Sequence, residues 1–375
     1  MNSPVIRTFA RIVVSNQMLV AAAIAFSLAA CTSASAVPSG APAVPTVVPS
    51  ATPSVTPTAE PTSGRTATPE PTPTATEDPL AARAEAEIRV EGGPDFPIEA
   101  FGSLWMITPD SDEPSITRLD PATNEIIATI PTGTRLCQAI GATDEAIWAC
   151  TRGGVVQVDP ESNEVAGTVE LPVAEFYGYL PFGDGALWVP SGEVARTDQL
   201  VRIDPSTATI AETYSLEFDA QWLTYGLDAV WLTDTAEGKL WRFDPETEEL
   251  SEVASGLPDP GASAIGAGSV WLAIHSGHES RPATDEATLL RLDPVTGEIQ
   301  AEIATGGPMF EAMLHAADDA IWFRAPVPFV GLIDPASNEM TDSILANYGG
   351  GSITVAFDSV WATSIEFNTV WRLSP

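Results

Sequence analysis

Two short hydrophobic patterns alternate along the chain from residue 84 onward. The first is a small residue, an aliphatic residue and a tryptophan, and successive tryptophans lie 39 to 51 residues apart, at Trp105, Trp148, Trp188, Trp231, Trp271, Trp322 and Trp361. The second places an apolar residue before Asp-Pro, at Asp120, Asp159, Asp204, Asp244, Asp293 and Asp334, with Ser374-Pro375 in the seventh copy. A repeating unit of about 40 residues is typical of one propeller blade.

The Asp-Pro motif predicts a tight turn between two strands. An Asp side chain can accept a hydrogen bond from the backbone two residues on, and Pro presets φ for the first central turn position. Asn124, Asn163, Gly297 and Asn338 stand where a left-handed residue would close the turn. Alternating apolar runs follow, so each unit reads as four antiparallel strands, with each tryptophan packed between neighbouring blades rather than exposed for stacking.

The two ends of the repeat region complement each other. The seventh unit supplies three strands, and an unpaired strand at 86–93 resembles 301–307, which follows an Asp-Pro turn. Pairing both ends in one sheet would remove exposed edges. The sequence therefore predicts an all-β fold, a seven-bladed β-propeller over 84–375. Its blades are four-stranded and antiparallel, and the N-terminal strand completes the last blade.

The N-terminal segment predicts an address outside the cytoplasm. Arg7 and Arg11 precede an apolar run of 13 residues that ends in Leu-Ala-Ala-Cys31, which resembles a bacterial lipobox. We expect residues 1–30 to be a signal peptide and Cys31 to be lipidated, the alternative being an ordinary secretory signal with a coincidental Cys. Residues 31–83, rich in Pro, Thr and Ser, predict a disordered tether. The membrane would then be a partner through the lipid alone.

Net charge limits the classes of partner. The chain has 16 Lys and Arg against 51 Asp and Glu, a formal charge of −35. Such a surface repels phosphate backbones, which argues against nucleic-acid binding. We expect a monomer whose ligand is a small molecule or a protein, bound at the propeller face that carries the longest loops.

The seven Trp strands and the Asp-Pro-x-Thr/Ser-x-Glu hairpins resemble bacterial extracytoplasmic propellers of the YVTN type and the related streptogramin (virginiamycin) B lyase-like group. The resemblance implies ligand or protein binding, or a lyase that uses a divalent metal. The lyase group commonly carries an acid three residues after the blade Trp, and only Asp234 matches. The other six blades have neutral residues there: Thr108, Thr151, Ser191, Ile274, Ala325 and Ser364.

Metal-ligating residue types concentrate in the long insertion of blade five. His275, His278 and Glu279, followed by Asp285 and Glu286, could hold a divalent ion such as Mg²⁺ or Ca²⁺. The alternative is a solvated surface loop.

The remaining candidates lie elsewhere in the repeat. Glu311 and His315 share a face of the inner strand of blade six, where they could form a base and a metal partner, or simply line the channel. Trp222 has no counterpart in other blades, so we expect it to contact ligand. Glu193 lies in an insertion of blade three, and we expect it and Asp234 to contribute to ligand binding as well.

Cys137 and Cys150 flank the turn 142–145 symmetrically, which places them opposite each other in a regular hairpin. In an oxidising compartment this predicts a disulfide, whereas a bulge would leave two separated thiols. Five arginines occupy one repeat position, and we expect them to pair with acids of their own or the next blade: Arg118, Arg202, Arg242, Arg291 and Arg372.

The sequence thus favours a lipid-anchored extracytoplasmic binding or scaffold module over its alternative, a metal-dependent lyase.

Overall fold

The computed structural model describes residues 6–8, 78–172, 176–193, 196–275, 287–309 and 312–375. Within these residues, seven separate antiparallel sheets follow one another along the chain, so the predicted seven-bladed all-β propeller is confirmed. None of the described segments is a helix long and apolar enough to cross a membrane.

The first four blades are built from strands that run in sequence from the inside outward. Blade one contains Asp95–Ala100, Ser103–Thr108, Ser115–Asp120 and Glu125–Pro131. Blade two contains Leu136–Ala142, Ile147–Thr151, Gly154–Asp159 and Glu164–Glu170. Blade three contains Phe182–Gly183, Ala186–Ser191, Gln199–Asp204 and Thr209–Ser215. Blade four contains Trp222–Gly226, Ala229–Asp234, Lys239–Asp244 and Glu249–Ser255.

The last three blades repeat this order. Blade five contains Pro260–Gly266, Ser269–Ile274, Thr288–Leu292 and Ile299–Ala304. Blade six contains Met313–Ala316, Ile321–Arg324, Val330–Asp334 and Glu339–Ile344. Blade seven contains Ile353–Ala356, Ser359–Ser364 and Thr369–Leu373, and its outer strand is Ala84–Arg89, which pairs antiparallel with Thr369–Leu373. One further strand, Ile6–Thr8, pairs in parallel with Thr209–Ser215.

The inner strand of blade three departs from the antiparallel pattern. Tyr177–Tyr179 pairs in parallel with Leu136–Ala142 of blade two instead of joining its own sheet. Pro181 has no N–H to donate, so it interrupts the inner strand of blade three. The displaced segment lies so close to blade two that a Cβ on Gly141 would stand 2.0 Å from the carbonyl oxygen of Leu180. Glycine is therefore required at position 141.

The repeated tryptophans form the core between blades. Six of the seven donate their indole N–H within their own blade. Five reach the carbonyl of the residue five positions earlier, as Trp271 does to Gly266 at 3.1 Å, and Trp148 reaches the Thr143 hydroxyl at 3.3 Å. The repeated arginine covers the ring in several blades, with Arg291 at 5.3 Å from the centroid of Trp271. These six tryptophans thus combine apolar burial with a satisfied donor.

Three of the five arginines of the repeat pair with an acid of their own blade as predicted, and two bind other partners. Arg118 donates from Nη1 to the carbonyl of Pro160 at 2.7 Å and to the Asn163 side chain at 2.9 Å, both in the next blade. Arg291 and Arg372 make the equivalent bonds, and Arg372 also pairs with Glu85 at 3.0 Å. The prediction of acidic partners is thus wrong for Arg118 and Arg291, whose acceptors are neutral.

The hairpin of the following blade decides whether an arginine bonds to that neighbouring blade. Arg118, Arg291 and Arg372 are each followed by a blade whose turn carries Asn in the left-handed position, with φ between 56° and 60°. Arg202 and Arg242 face turns with Glu248 and Gly297 instead. These two pair with acids of their own blade, at 2.8 Å and 3.1 Å. An amide oxygen at the turn is therefore what links adjacent blades.

The Asp-Pro turns have the predicted geometry. Each of the six aspartates accepts the N–H two residues on, at 2.8 to 3.0 Å. Asp293 accepts from Val295 at 2.9 Å and from Thr296 at 2.8 Å, and these bonds lower the pKa of its carboxyl below 3.8.

We therefore expect a pH-dependent difference between wild type and Asp293→Asn, since the amide keeps an acceptor oxygen but not the charge. A depressed carboxyl pKa stabilises the fold above the unfolded value of 3.8, and this contribution is lost as the pH falls through the folded pKa. Urea midpoints of the two proteins, compared between about pH 6 and about pH 2, measure it. A difference that does not change with pH would contradict this explanation.

The cysteine pair lies in blade two. The structure joins Cys137 and Cys150 by a disulfide, with a Cα–Cα distance of 5.2 Å. Leu136 pairs with Thr151 in the antiparallel ladder. The next residue on one strand, Cys137, therefore stands opposite the preceding residue on the other, Cys150.

A bulge makes this pairing possible, contrary to the sequence argument. Near the turn, Ala142 pairs with Ile147 rather than with Glu145, so a regular hairpin would have misaligned the cysteines. A register shift lies between this region and Leu136. It moves the two strands back into the alignment that the cysteines need. The bulge, expected to separate the thiols, instead brings them together.

Candidate functional site

The inner strands of six blades begin around one opening at the centre of the propeller. Residues from blades one, two, three, four, six and seven line it: Phe96, Gln138, Tyr177, Trp222, Met313 and Ser352. Asp95 also lines it, and the cavity volume is about 60 Å³. We call this space the mouth cavity. It lies on the face where we expected the ligand, but inner-strand ends form its described wall rather than the long insertions.

Trp222, the tryptophan without a counterpart in other blades, begins the inner strand of blade four and lines the mouth cavity. Its ring meets the ring of His275 edge to face, with 6.0 Å between centroids. His275 is 5 % exposed and directly follows the second strand of blade five, so a solvated loop is the wrong description of this residue. A Cβ on Gly261 would stand 2.1 Å from His275 Cε1, so glycine makes room for the imidazole.

Asp95 supplies a buried carboxylate at the mouth cavity. Its side chain is 3 % exposed, and Oδ1 accepts hydrogen bonds from the Phe96 N–H at 2.9 Å, the Ser352 hydroxyl and the Thr363 hydroxyl at 3.5 Å. These three donors hold the carboxyl group in place and, as hydrogen bonds to a carboxylate, oppose the effect of its burial. Burial, and then the Asp95 charge, raise the pKa of Tyr179, whose hydroxyl donates to the Ile353 carbonyl at 3.2 Å.

Asp234 and Glu193 do not line the mouth cavity. Asp234 ends the second strand of blade four and is 1 % exposed. Its Oδ1 accepts the Glu237 N–H at 3.0 Å, and Oδ2 has no hydrogen-bond partner among the described residues. Burial raises the pKa of this carboxyl. Glu193 is exposed and follows the second strand of blade three.

The predicted catalytic and metal-binding residues are only partly described. His315 lies on the inner strand of blade six, where its Nδ1 is 3.4 Å from the Thr354 hydroxyl, and burial lowers the pKa of the imidazole. Glu311, His278 and Glu279 lie outside the described residues, as does Cys31. Within the described ranges, no three His, Cys, Asp or Glu side chains are grouped so as to hold a metal ion. Because His278 and Glu279 lie outside these ranges, the metal site of the blade-five insertion stays a prediction.

Sequence reasoning missed Asp95, Tyr177 and Gln138 as site residues. Each lies within the first three residues of an inner strand, and these strand starts converge on the mouth cavity. A polar or aromatic residue at such a start, where other blades carry small or apolar residues, is the signal that would have found them.

Comparisons with known proteins support the fold. No family model matches the chain, and no curated protein matches it. Among solved structures, a streptogramin B lyase superposes with a TM-score of 0.59 at 19 % identity, covering 77 % of this chain and 96 % of that one. BamB from Moraxella catarrhalis gives 0.54 at 12 %, covering 78 % and 97 %, and the Myceliophteria thermophila Cps50 (Swd1) propeller domain gives 0.62 at 11 %, covering 78 % and 99 %. At these identities the likeness shows a shared propeller fold.

Proposed function

We propose that this protein is an extracytoplasmic binding module that is anchored by lipid at Cys31 and takes its ligand at the mouth cavity. The observation that supports the binding role is the convergence of six blades on one cavity that is lined by three aromatic residues and a buried carboxylate. A concave, mostly apolar site with a few fixed polar groups is the usual form of a ligand pocket. The solved structures of BamB and of the WD40 repeats of RRP9 share the propeller fold with this chain.

The anchor rests on the sequence alone. The residues before Cys31 resemble a lipobox, and 31–83 has the composition of an extended tether that would hold the propeller away from the membrane. Mass spectrometry of the mature N-terminus tests this: an acylated Cys31 supports the anchor, and an unmodified cysteine or an uncut leader contradicts it.

Trp222→Ala should abolish ligand capture without unfolding the propeller, because the ring lines the mouth cavity and lies outside the repeated tryptophan core. A ligand-observed NMR screen of small soluble fragments against the full chain measures this. We expect wild type to bind fragments that the Trp222→Ala variant loses.

Phe367→Ala is the matched control, because Phe367 is also aromatic, is 49 % exposed and does not line the mouth cavity. Fragments should still bind this variant. A screen without hits, or hits that Trp222→Ala retains, would contradict the proposed binding site.

A metal-dependent lyase is the second candidate, favoured by the likeness to a streptogramin B lyase structure. His315 on the inner strand of blade six and the segment that begins at His275 carry the residue types it would need. Elemental analysis of the purified full chain, with His315→Ala and His275→Ala compared for Mg²⁺ affinity, decides this candidate. If neither substitution changes the affinity for the metal, these residues are not its ligands.

A further inference from the structure

The mouth cavity combines a negative charge with aromatic surface and contains no basic side chain among the described residues that line it. Asp95 presents a buried carboxylate, while Trp222, Tyr177 and Phe96 contribute rings from three different blades. Cations are attracted to the faces of aromatic rings, Trp most strongly, and quaternary ammonium groups are recognised by several rings together. These side chains are therefore matched to a positive group.

The positions of Asp95 and Trp222 are fixed before a ligand arrives. The Asp95 carboxylate is held by the Phe96 N–H at 2.9 Å and by the hydroxyls of Ser352 and Thr363. The Trp222 ring is held by His275 at 6.0 Å between centroids. It also lies against Gly178, where a Cβ would stand 3.4 Å from Trp222 Cε3. A preorganised site loses little conformational entropy when a ligand binds.

The size of the mouth cavity restricts the class of cation. A cavity needs a volume of roughly 10–15 Å³ to hold one water molecule. A volume of about 60 Å³ therefore suits a group of about five heavy atoms, such as a methylated ammonium. A hydrated inorganic ion gains little from aromatic walls, whereas methyl groups on nitrogen spread the charge over an apolar surface that the rings can cover.

The electrostatic field of the whole protein also favours cations. With a formal charge of −35, the protein raises the local concentration of cations around it. This field alone would not distinguish one cation from another, so selectivity has to come from the mouth cavity.

We propose that the mouth cavity binds the ammonium head group of an organic cation, with Asp95 as counter-ion and the rings of Trp222 and Tyr177 as walls. This inference rests on the proposed function and names its ligand class. The head group can belong to a free methylated ammonium compound or to a trimethylated lysine side chain of a protein, and the test separates these two sources.

The test is a titration of the full chain with tetramethylammonium chloride at constant ionic strength. Isothermal calorimetry measures the binding. We expect a dissociation constant on the order of 1 mM, which is reasonable for a five-heavy-atom ligand. tert-Butanol has a similar shape without the charge and should bind at least about tenfold more weakly. Equal binding of the two probes would overturn the proposal, because it would show an apolar cavity without charge recognition.

Two substitutions locate the binding in the mouth cavity. Asp95→Asn keeps the size and an acceptor oxygen while removing the charge, and Trp222→Leu keeps an apolar surface while removing the ring. Each should weaken tetramethylammonium binding at least about tenfold. Glu193→Gln removes one negative charge from an exposed position outside the cavity and should leave the affinity unchanged.

The outcomes separate this inference from the proposed function. If neutral fragments bind in a Trp222-dependent way but tetramethylammonium does not, the ammonium inference is wrong and the binding site stands. If Glu193→Gln weakens binding as much as Asp95→Asn, the general field attracts the cation and the inference is again wrong. Comparison of free trimethylammonium compounds with a trimethyllysine peptide then shows which source binds more tightly.

Discussion

Replacing Trp271 by alanine is expected to lower the free energy of unfolding by about 3–5 kcal/mol, because the substitution leaves a large cavity in a well-packed core. The side chain is 0 % exposed and packs with residues of blades five and six. Its loss also leaves the Gly266 carbonyl without the indole N–H at 3.1 Å and Arg291 without the ring it covers. Urea unfolding of the full chain, followed by tryptophan fluorescence, measures the effect.

Val295→Ala serves as the control in the same blade, because Val295 is 87 % exposed and its truncation should change stability by less than about 0.5 kcal/mol. If Trp271→Ala unfolds at the same urea concentration as this control, the tryptophans of the repeat do not form the core between blades.

Removing the disulfide of blade two is the change with the second largest expected effect. Cys137 and Cys150 are separated by 13 residues, and the cross-link restricts the unfolded chain over that loop. By the loop-entropy estimate, the Cys137→Ala/Cys150→Ala double variant should lose about 2–3 kcal/mol of stability. When a reductant is added, the urea midpoint of wild type should fall to about that of the double variant. The midpoint of the double variant should not change.

Thiol titration of the denatured, unreduced protein gives an independent readout. The disulfide predicts no reactive thiol from these two positions, and alkylation of both cysteines would contradict it. Each single variant, Cys137→Ala or Cys150→Ala, should have one reactive thiol. It should also lose nearly all of the stability that the double variant loses, because one cysteine alone cannot form the cross-link.

Local chemistry explains which parts of the fold could be predicted from sequence. The Asp-Pro turns depend on bonds between Asp293 and residues two and three positions later, and the indole of Trp271 bonds a carbonyl five positions earlier. Interactions of such short range leave a repeated pattern in the sequence. Seven copies of it were enough to predict the number of blades and their four-stranded form.

The parts that could not be predicted depend on contacts between distant segments. Arg118 takes a neutral acceptor because Asn163 stands in the turn of the next blade, 45 residues away. His275 is buried because Trp222 covers it from another blade. Asp95 belongs to the site because its strand begins beside Ser352, 257 residues further along. No single repeat contains both members of these pairs, so its pattern shows neither contact.

Trp222 and Asp234 are both exceptions to the repeat pattern, but they occupy different environments. Trp222, a tryptophan outside the repeat pattern, lines the mouth cavity, and its contact with a ligand stays a prediction. Asp234 is equally exceptional, yet it lies buried at the end of its strand, away from that cavity. An exception to a repeat therefore identifies a residue released from the blade pattern, and only the geometry shows where it is used.

Closure of the propeller ring is the claim on which the mouth cavity depends, because Asp95 and Ser352 meet only if blades one and seven are neighbours. Hydrogen exchange of the full chain tests it directly, through the backbone amides of Ala84–Arg89 and their partners in Thr369–Leu373. We expect both strands to exchange slowly and to be protected to the same extent. Rapid exchange of Ala84–Arg89 beside a protected Thr369–Leu373 would contradict it.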